Sequence, residues 1–234
     1  MPTIIDRENE WSNSVAATAL LLSDSTPKEM DAVYLPGLSK GMIDSGNLFR
    51  QVAVVYHDRF NTERWVAFNG SNGEGMGDQN KPGAAWPGKD WYISQLQLED
   101  IPEFRLVPTG PGLHTRGEMD ALVALAKERG WKKVVLVTVP YHFVQVFKCL
   151  VQAMKAQEYW FAVYASSTET DWEWEMVGSQ GLEANTTPFR EAGKYAPKVW
   201  DYERKGYSAG FPELFVYLAN RERFALGELT AFPS

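Results

Sequence analysis

The sequence predicts a three-layer α/β domain with a mostly parallel sheet of five strands, and three observations predict it. Short β-branched apolar runs alternate with longer stretches of helical periodicity, which implies βαβ crossovers with helices on both sheet faces. With 234 residues, 44% hydrophobic and 23% charged, the chain is long enough for one full core and has an ordinary soluble composition. No internal repeat or low-complexity linker divides it, so residues 1–234 read as one domain.

Taken in order, the elements each have a local cause. The apolar run from Val15 to Leu22 predicts a buried helix over 12–23. Asp6, Glu8 and Glu10 precede it where an export signal would be basic, and no small-residue cleavage site follows. It is also short of the roughly 20 residues that span a bilayer, so no membrane partner and a cytoplasmic location are expected. A strand over 31–36 (DAVYLP), a helix over 43–58 and a strand over 64–68 (RWVAF) come next. The Gly-rich stretch 70–90 has no periodicity and predicts a mobile lid over a site. Beyond it stand a helix over 89–98 and a strand over 103–107 (EFRLV).

The helix over 115–129 is the clearest in the chain, with Met119, Leu122, Val123 and Ala126 on one face and Gly130 at its end. Thr115 and Glu118 match a capping box at its start. A strand over 133–138 (KVVLVT), a helix over 141–155 and a strand over 160–164 (WFAVY) complete the sheet pattern. Residues 166–187 mix Glu169, Asp171, Glu173 and Glu175 with Trp172 and Trp174, as a hairpin or an ordered loop. Thr187 as N-cap and Pro188 at the first helical position open a helix over 188–205. A last helix covers 212–222, and both C-terminal helices present apolar faces that should pack on the sheet.

Charge and cysteine usage narrow the function classes. The net charge of −7, with no Lys/Arg cluster, argues against a nucleic-acid partner. Cys149 stands alone, so no intramolecular disulfide exists, and its mid-helix place suits a buried structural thiol better than a nucleophile. The G-x-S-x-G, H-E-x-x-H and C-x-x-C signatures are absent. Asn69, Ser71, Asn72, Glu74 and Asp78 offer oxygen atoms without the spacing of a calcium loop, so no metal is assigned. No pattern names a cofactor.

The segment VVLVTVPYHFVQVF (134–147) carries the most chemistry: a buried strand, a turn at Pro140 and a helix start. Strand ends and helix N-termini of this kind bind ligands in open α/β sheets, which makes Thr138, Tyr141 and His142 candidates. An exposed histidine's near-neutral pKa would suit His142 to general acid/base work; the alternative is a satisfied core histidine. His114, Thr115 and Glu118 face the same edge, or Thr115 and Glu118 simply cap their helix. The turn 35–46 holds Gly37, Ser39, Gly41 and Gly46 in neither a Rossmann nor a Walker spacing. Its glycines suit either close approach to a ligand or a plain turn. His57 reads as a surface residue, and several tryptophans (Trp65, Trp86, Trp91, Trp172, Trp174) flank loops where they pack or stack on a ligand.

Three blocks between residues 31 and 165 resemble the DUF218 family, the group that includes YdcF, SanA and ElyC. They are DAVYLPGL with a second strand ending in Asn-Gly (WVAFNGS), the helix start HTRGEMDAL, and LVTVPYHFVQVF. The resemblance implies a Rossmann-like fold and a cleft that binds a small polar or phosphorylated molecule, read here as a small polar or nucleotide-like ligand. By position it places Gly37, Asn69, Gly70, Ser71, Thr115, Glu118, Thr138, Tyr141 and His142 around that cleft. Two departures stand out. Gln145 occupies the place of a usual arginine, and Gly117-Glu118 that of Glu-Asn, which weakens the case for an anionic ligand. Three readings of function stay open: an enzyme with His142 as acid/base and Glu118, Thr138 and Tyr141 positioning substrate, a binding module without chemistry, or an inert interaction protein.

Overall fold

The computed structural model describes residues 4–58, 64–73, 85–176 and 186–233. Its strands are β1 (Ala32–Leu35), β2 (Trp65–Phe68), β3 (Leu106–Pro108), β4 (Lys133–Thr138) and β5 (Ala162–Ser167). They form one five-stranded sheet in the order β3-β2-β1-β4-β5, and every pairing is parallel. The helices are α1 (Ile4–Leu22), α2 (Lys40–Asp44), α3 (Leu48–His57), α4 (Lys89–Leu98), α5 (Thr115–Arg129), α6 (Phe143–Gln157), α7 (Pro188–Arg204) and α8 (Phe211–Ala225). This is the predicted three-layer α/β, Rossmann-like arrangement.

Period-2 alternation divides each strand between two cores. Val33, Leu35, Val66, Phe68, Val135 and Val137 meet Met42, Leu48, Val52, Tyr92 and Leu96 from α2, α3 and α4. On the other face Ala32, Tyr34, Ala67, Val134 and Leu136 meet Leu21, Met119, Leu122, Phe147 and Leu150 from α1, α5 and α6. A sheet covered on both faces needs apolar residues at successive positions, which is why the strands read as continuous apolar runs. The C-terminal helices join the second core through Val199 on α7 and Phe211, Leu214, Tyr217 and Phe224 on α8.

Helix α8 and the segment after α1 close the β5 edge. The Val163 N–H donates to the Tyr217 hydroxyl at 2.8 Å, and the Ala165 N–H to Asp24 Oδ2 at 2.9 Å. Arg221 holds both Asp24 oxygens at 2.5 Å. An edge strand with occupied amides offers no template for another chain.

The structure moves several predicted boundaries. α1 begins at Ile4, eight residues before position 12. The stretch 43–58 is two helices, because Asn47 adopts a left-handed conformation (φ 48) that interrupts the α-helical path. Glu103–Arg105 and Pro140–His142 are short 3-10 turns, so β3 starts at Leu106 and α6 at Phe143. β5 lies at 162–167 rather than 160–164, set by its register from Lys133↔Ala162 to Thr138↔Ser167. Met176 and Thr186 exchange backbone hydrogen bonds in an antiparallel bridge. Most of the expected lid, 74–84, lies outside the described residues. Among the described residues, no helix is long and apolar enough to cross a membrane.

Candidate functional site

The strand order fixes where the carboxyl-edge loops diverge. From β1 the chain steps outward to β2 and β3, then returns to β4 and continues outward to β5. The switch therefore lies between β1 and β4, the position where open parallel sheets bind ligands. Apart from His114 and Thr115 at the start of α5, the predicted residues fall into two largely buried groups, one after β1 and β2, the other after β4.

The first group centres on Glu118, which is 3% exposed. Its Oε2 accepts the Gly37 N–H at 2.8 Å, so a helix carboxylate holds the turn after β1. Asn69, at the end of β2, also holds the carboxyl, and the Tyr34 hydroxyl approaches it without a well-aligned hydrogen bond. Asn69 is itself fixed: Nδ2 donates to the Gly112 carbonyl at 2.7 Å, and Oδ1 accepts from the Ser71 and Gly112 N–H groups at 2.9 and 3.2 Å. Among the described residues the partners of Glu118 are neutral. Burial dominates and raises its carboxyl to about 7, against smaller lowering by Gly37, Asn69 and Tyr34.

Glycine is required here by close approach. A Cβ on Gly112 would lie 2.6 Å from the Glu118 amide nitrogen, and one on Gly70 would lie 2.0 Å from the Thr109 carbonyl oxygen. Gly70, expected to bind ligand, is thus explained by its packing against the chain after β3. Ser71 is also engaged internally: its hydroxyl accepts from Gly73, and its carbonyl from the Trp86 indole and the Lys89 amide.

The second group lies after β4. Thr138 Oγ1 sits 3.3 Å from His142 Nδ1, and the imidazole meets the Tyr195 ring edge-on at 5.3 Å. Burial, with a smaller contribution from the Lys198 charge, lowers His142 to about 3. The near-neutral imidazole expected from sequence is therefore corrected: His142 is a neutral hydrogen-bonding group at physiological pH. Tyr141 packs against Tyr195 and Trp172 at 5.5 and 6.2 Å. Its phenol is raised far above the usual range by burial.

Helix α5 and helix α6 meet between the two groups. Gln145 Nε2 donates to Thr115 Oγ1 at 3.2 Å, and Thr115 bonds onward to Tyr202. The expected capping box is not formed. His114 is the N-cap, with its Nδ1 accepting the Gly117 N–H at 3.0 Å, while the Glu118 carboxylate turns away to Gly37. His114 is exposed and stacks on Tyr207 at 5.9 Å. His57 is exposed, as expected, and bonds the Glu99 carbonyl. Cys149 is buried, with its thiol pushed up to about 12 by desolvation. Among the described residues, no group of three or more His, Cys, Asp or Glu is arranged to hold a metal.

Sequence reasoning missed Tyr34, Gly112, Tyr195 and Tyr202. Tyr34 is one β-former among several, and Gly112 acts through its backbone, so neither carries a sequence signal. Tyr195 and Tyr202 lie on α7, outside the 31–165 resemblance. Comparison with known proteins gives nothing to set beside this geometry: no family model, no curated protein and no solved structure matches the chain.

Proposed function

We propose that the chain binds a small polar or nucleotide-like molecule at the carboxyl edge between β1 and β4, and that Glu118 exchanges a proton with it. The observation that carries this reading is a buried carboxyl among neutral partners, raised to about 7. Near neutrality such a group is populated in both protonation states, and general acid/base catalysis contributes roughly 10²–10⁴-fold. His142 then serves as a neutral donor or acceptor, oriented by Thr138. Thr115 at the start of α5 and Tyr141 in the 3-10 turn after β4 complete the proposed site. Membership in the DUF218 family and a cytoplasmic setting belong to the same proposal, supported by the Thr138-x-x-Tyr141-His142 block at the end of β4.

A second reading, binding without chemistry, is favoured by one observation: the Glu118 carboxylate already spends an oxygen on the Gly37 N–H. Native mass spectrometry of the purified protein, followed by turnover assays on the co-purified molecule, separates the two. We expect Glu118→Gln to keep binding and lose turnover by about a hundredfold or more, with His142→Asn less affected. Binding without turnover in all proteins establishes the second reading, and full activity in Glu118→Gln overturns the first.

A further inference from the structure

One cavity, on the α1 side of the second polar group and sharing Tyr141 and Tyr195 with it, has a mostly apolar lining. It is a groove of about 360 Å³ between α1 and α7, floored by Pro140, Tyr141 and Val144. Its α1 wall is the stripe Trp11, Val15, Thr18 and Leu22, and its α7 wall is Ala192, Tyr195 and Val199. Both follow helical spacing, so each is a continuous ridge. α1 already buries Ala17 and Leu21 in the core, so the stripe is a second apolar face. Trp11 and Val15 are each 53% exposed.

Among the described residues no Asp, Glu, Lys or Arg lines the groove, and the Thr18, Tyr195 and Tyr141 hydroxyls of its lining are turned elsewhere. The Thr18 hydroxyl donates to the Ser14 carbonyl at 2.8 Å, leaving its methyl toward the groove. The Tyr195 hydroxyl points to the Met42 sulfur at 3.7 Å, within the opposite core. The Tyr141 hydroxyl is buried toward Ser45. Trp172 stands at the Tyr141 end. From Trp11 to Leu22 the wall runs roughly 16 Å at 1.5 Å per residue.

We propose that this groove binds a single unbranched acyl chain of roughly a dozen carbons, a length and volume within the range of small-molecule sites. A chain without charge or hydrogen-bonding groups along its length matches a lining that is mostly apolar and, among the described residues, uncharged. A peptide helix would bring backbone width and flanking polar residues that a channel of this volume does not receive. The inference does not rest on the Glu118 reading, whose test is turnover and not lipid affinity.

Isothermal titration with dodecanoate below its micelle concentration tests it in the intact protein. We expect saturable 1:1 binding with a negative heat-capacity change, the mark of apolar burial. Hexanoate should bind at least tenfold more weakly. Val15→Lys, at an exposed helix position, and Ala192→Trp, which fills the groove, should each weaken dodecanoate at least tenfold with unaltered circular dichroism. Absence of dodecanoate binding overturns the proposal, as does binding that ignores both substitutions. A wild-type dimer in sedimentation that Val15→Lys dissociates, without any dodecanoate binding, would instead identify the face as a contact between copies.

Discussion

Glu118 and His142 are both buried at the carboxyl edge of one sheet, yet burial drives them in opposite functional directions. Desolvation disfavours the charged form of each. For the carboxyl this means a rise to about 7, into the physiological range; for the imidazole it means a fall to about 3, out of it. Residue type alone made histidine the better acid/base. The environment reverses the choice, because an acid must be raised and a base left alone to titrate near neutrality. The lesson is that a site's proton chemistry follows from the sign of the charged state as much as from the side chain.

Breaking the His142 side should produce the largest effect. A histidine lowered to about 3 from 6.5 stays neutral when folded and is protonated when unfolded between those values. Its stabilising contribution is present above pH 6.5 and is lost as pH falls through the window toward 3. That loss approaches about 5 kcal/mol at 1.36 kcal/mol per unit. His142→Asn should remove this acid lability, so urea unfolding from pH 7 to 3 should fall more steeply for wild type than for the variant. Equal slopes would show that His142 is not neutral in the fold.

The Glu118 side should show the opposite slope. Its folded carboxyl at about 7, against 4.5 unfolded, binds a proton that the unfolded chain has released. Stability therefore declines as pH rises from 4.5 to 7, by about 3 kcal/mol, and is flat above. Between 4.5 and 6.5 the two groups oppose each other, and wild type should look nearly pH-insensitive there. Glu118→Gln should expose the rising slope of His142, and His142→Asn the falling slope of Glu118. A wild-type slope unaltered by either substitution would refute both assignments.

Gly112 connects that comparison to the backbone. Gly112→Ala would push a methyl to within 2.6 Å of the Glu118 amide nitrogen and 2.7 Å of its Cγ. We expect a loss of about 1–3 kcal/mol from overpacking, together with a smaller Glu118-dependent pH slope as the carboxyl is displaced toward water. Thermal melts at pH 5 and pH 8 read both. A destabilisation identical at the two pH values would mean that the carboxyl keeps its environment.

Much of the fold was legible because burial on both sheet faces writes itself into sequence as apolar runs. All five strands and their mostly parallel pairing follow from runs such as Val134–Val137 and from the helices between them, whereas the order β3-β2-β1-β4-β5 does not. The boundaries that moved did so for reasons sequence pattern carries weakly, such as the left-handed Asn47 and the 3-10 turn at Pro140. The candidate residues Gly37, Asn69, Ser71 and Glu118 do meet, but through backbone amides of Gly37, Ser71 and Gly112, whose hydrogen bonds leave no side-chain signature in the sequence. The closing wall from α7 was illegible, since nothing near Tyr195 or Tyr202 announces a partner dozens of residues earlier.

The smallest expected effect concerns the start of α5, where Thr115-x-x-Glu118 imitates a capping box. In a true box, Thr115 would cap and Glu118 would return to its backbone N–H. Here His114 caps Gly117 with Nδ1 at 3.0 Å, which releases Glu118 to reach Gly37 across the sheet edge. His114→Ala should therefore cost about 1 kcal/mol, the usual worth of an N-cap, and leave the Glu118 pH slope in place because the two side chains no longer share a task. Thr115→Val should leave the cap intact and act instead through Gln145 and Tyr202, the groups its hydroxyl bridges. Chemical denaturation at pH 8 of both variants decides the matter: a larger loss for Thr115→Val accompanied by frayed amide exchange at Arg116–Glu118 would restore Thr115 as the cap, and with it a Glu118 too occupied at its own helix to hold the turn after β1.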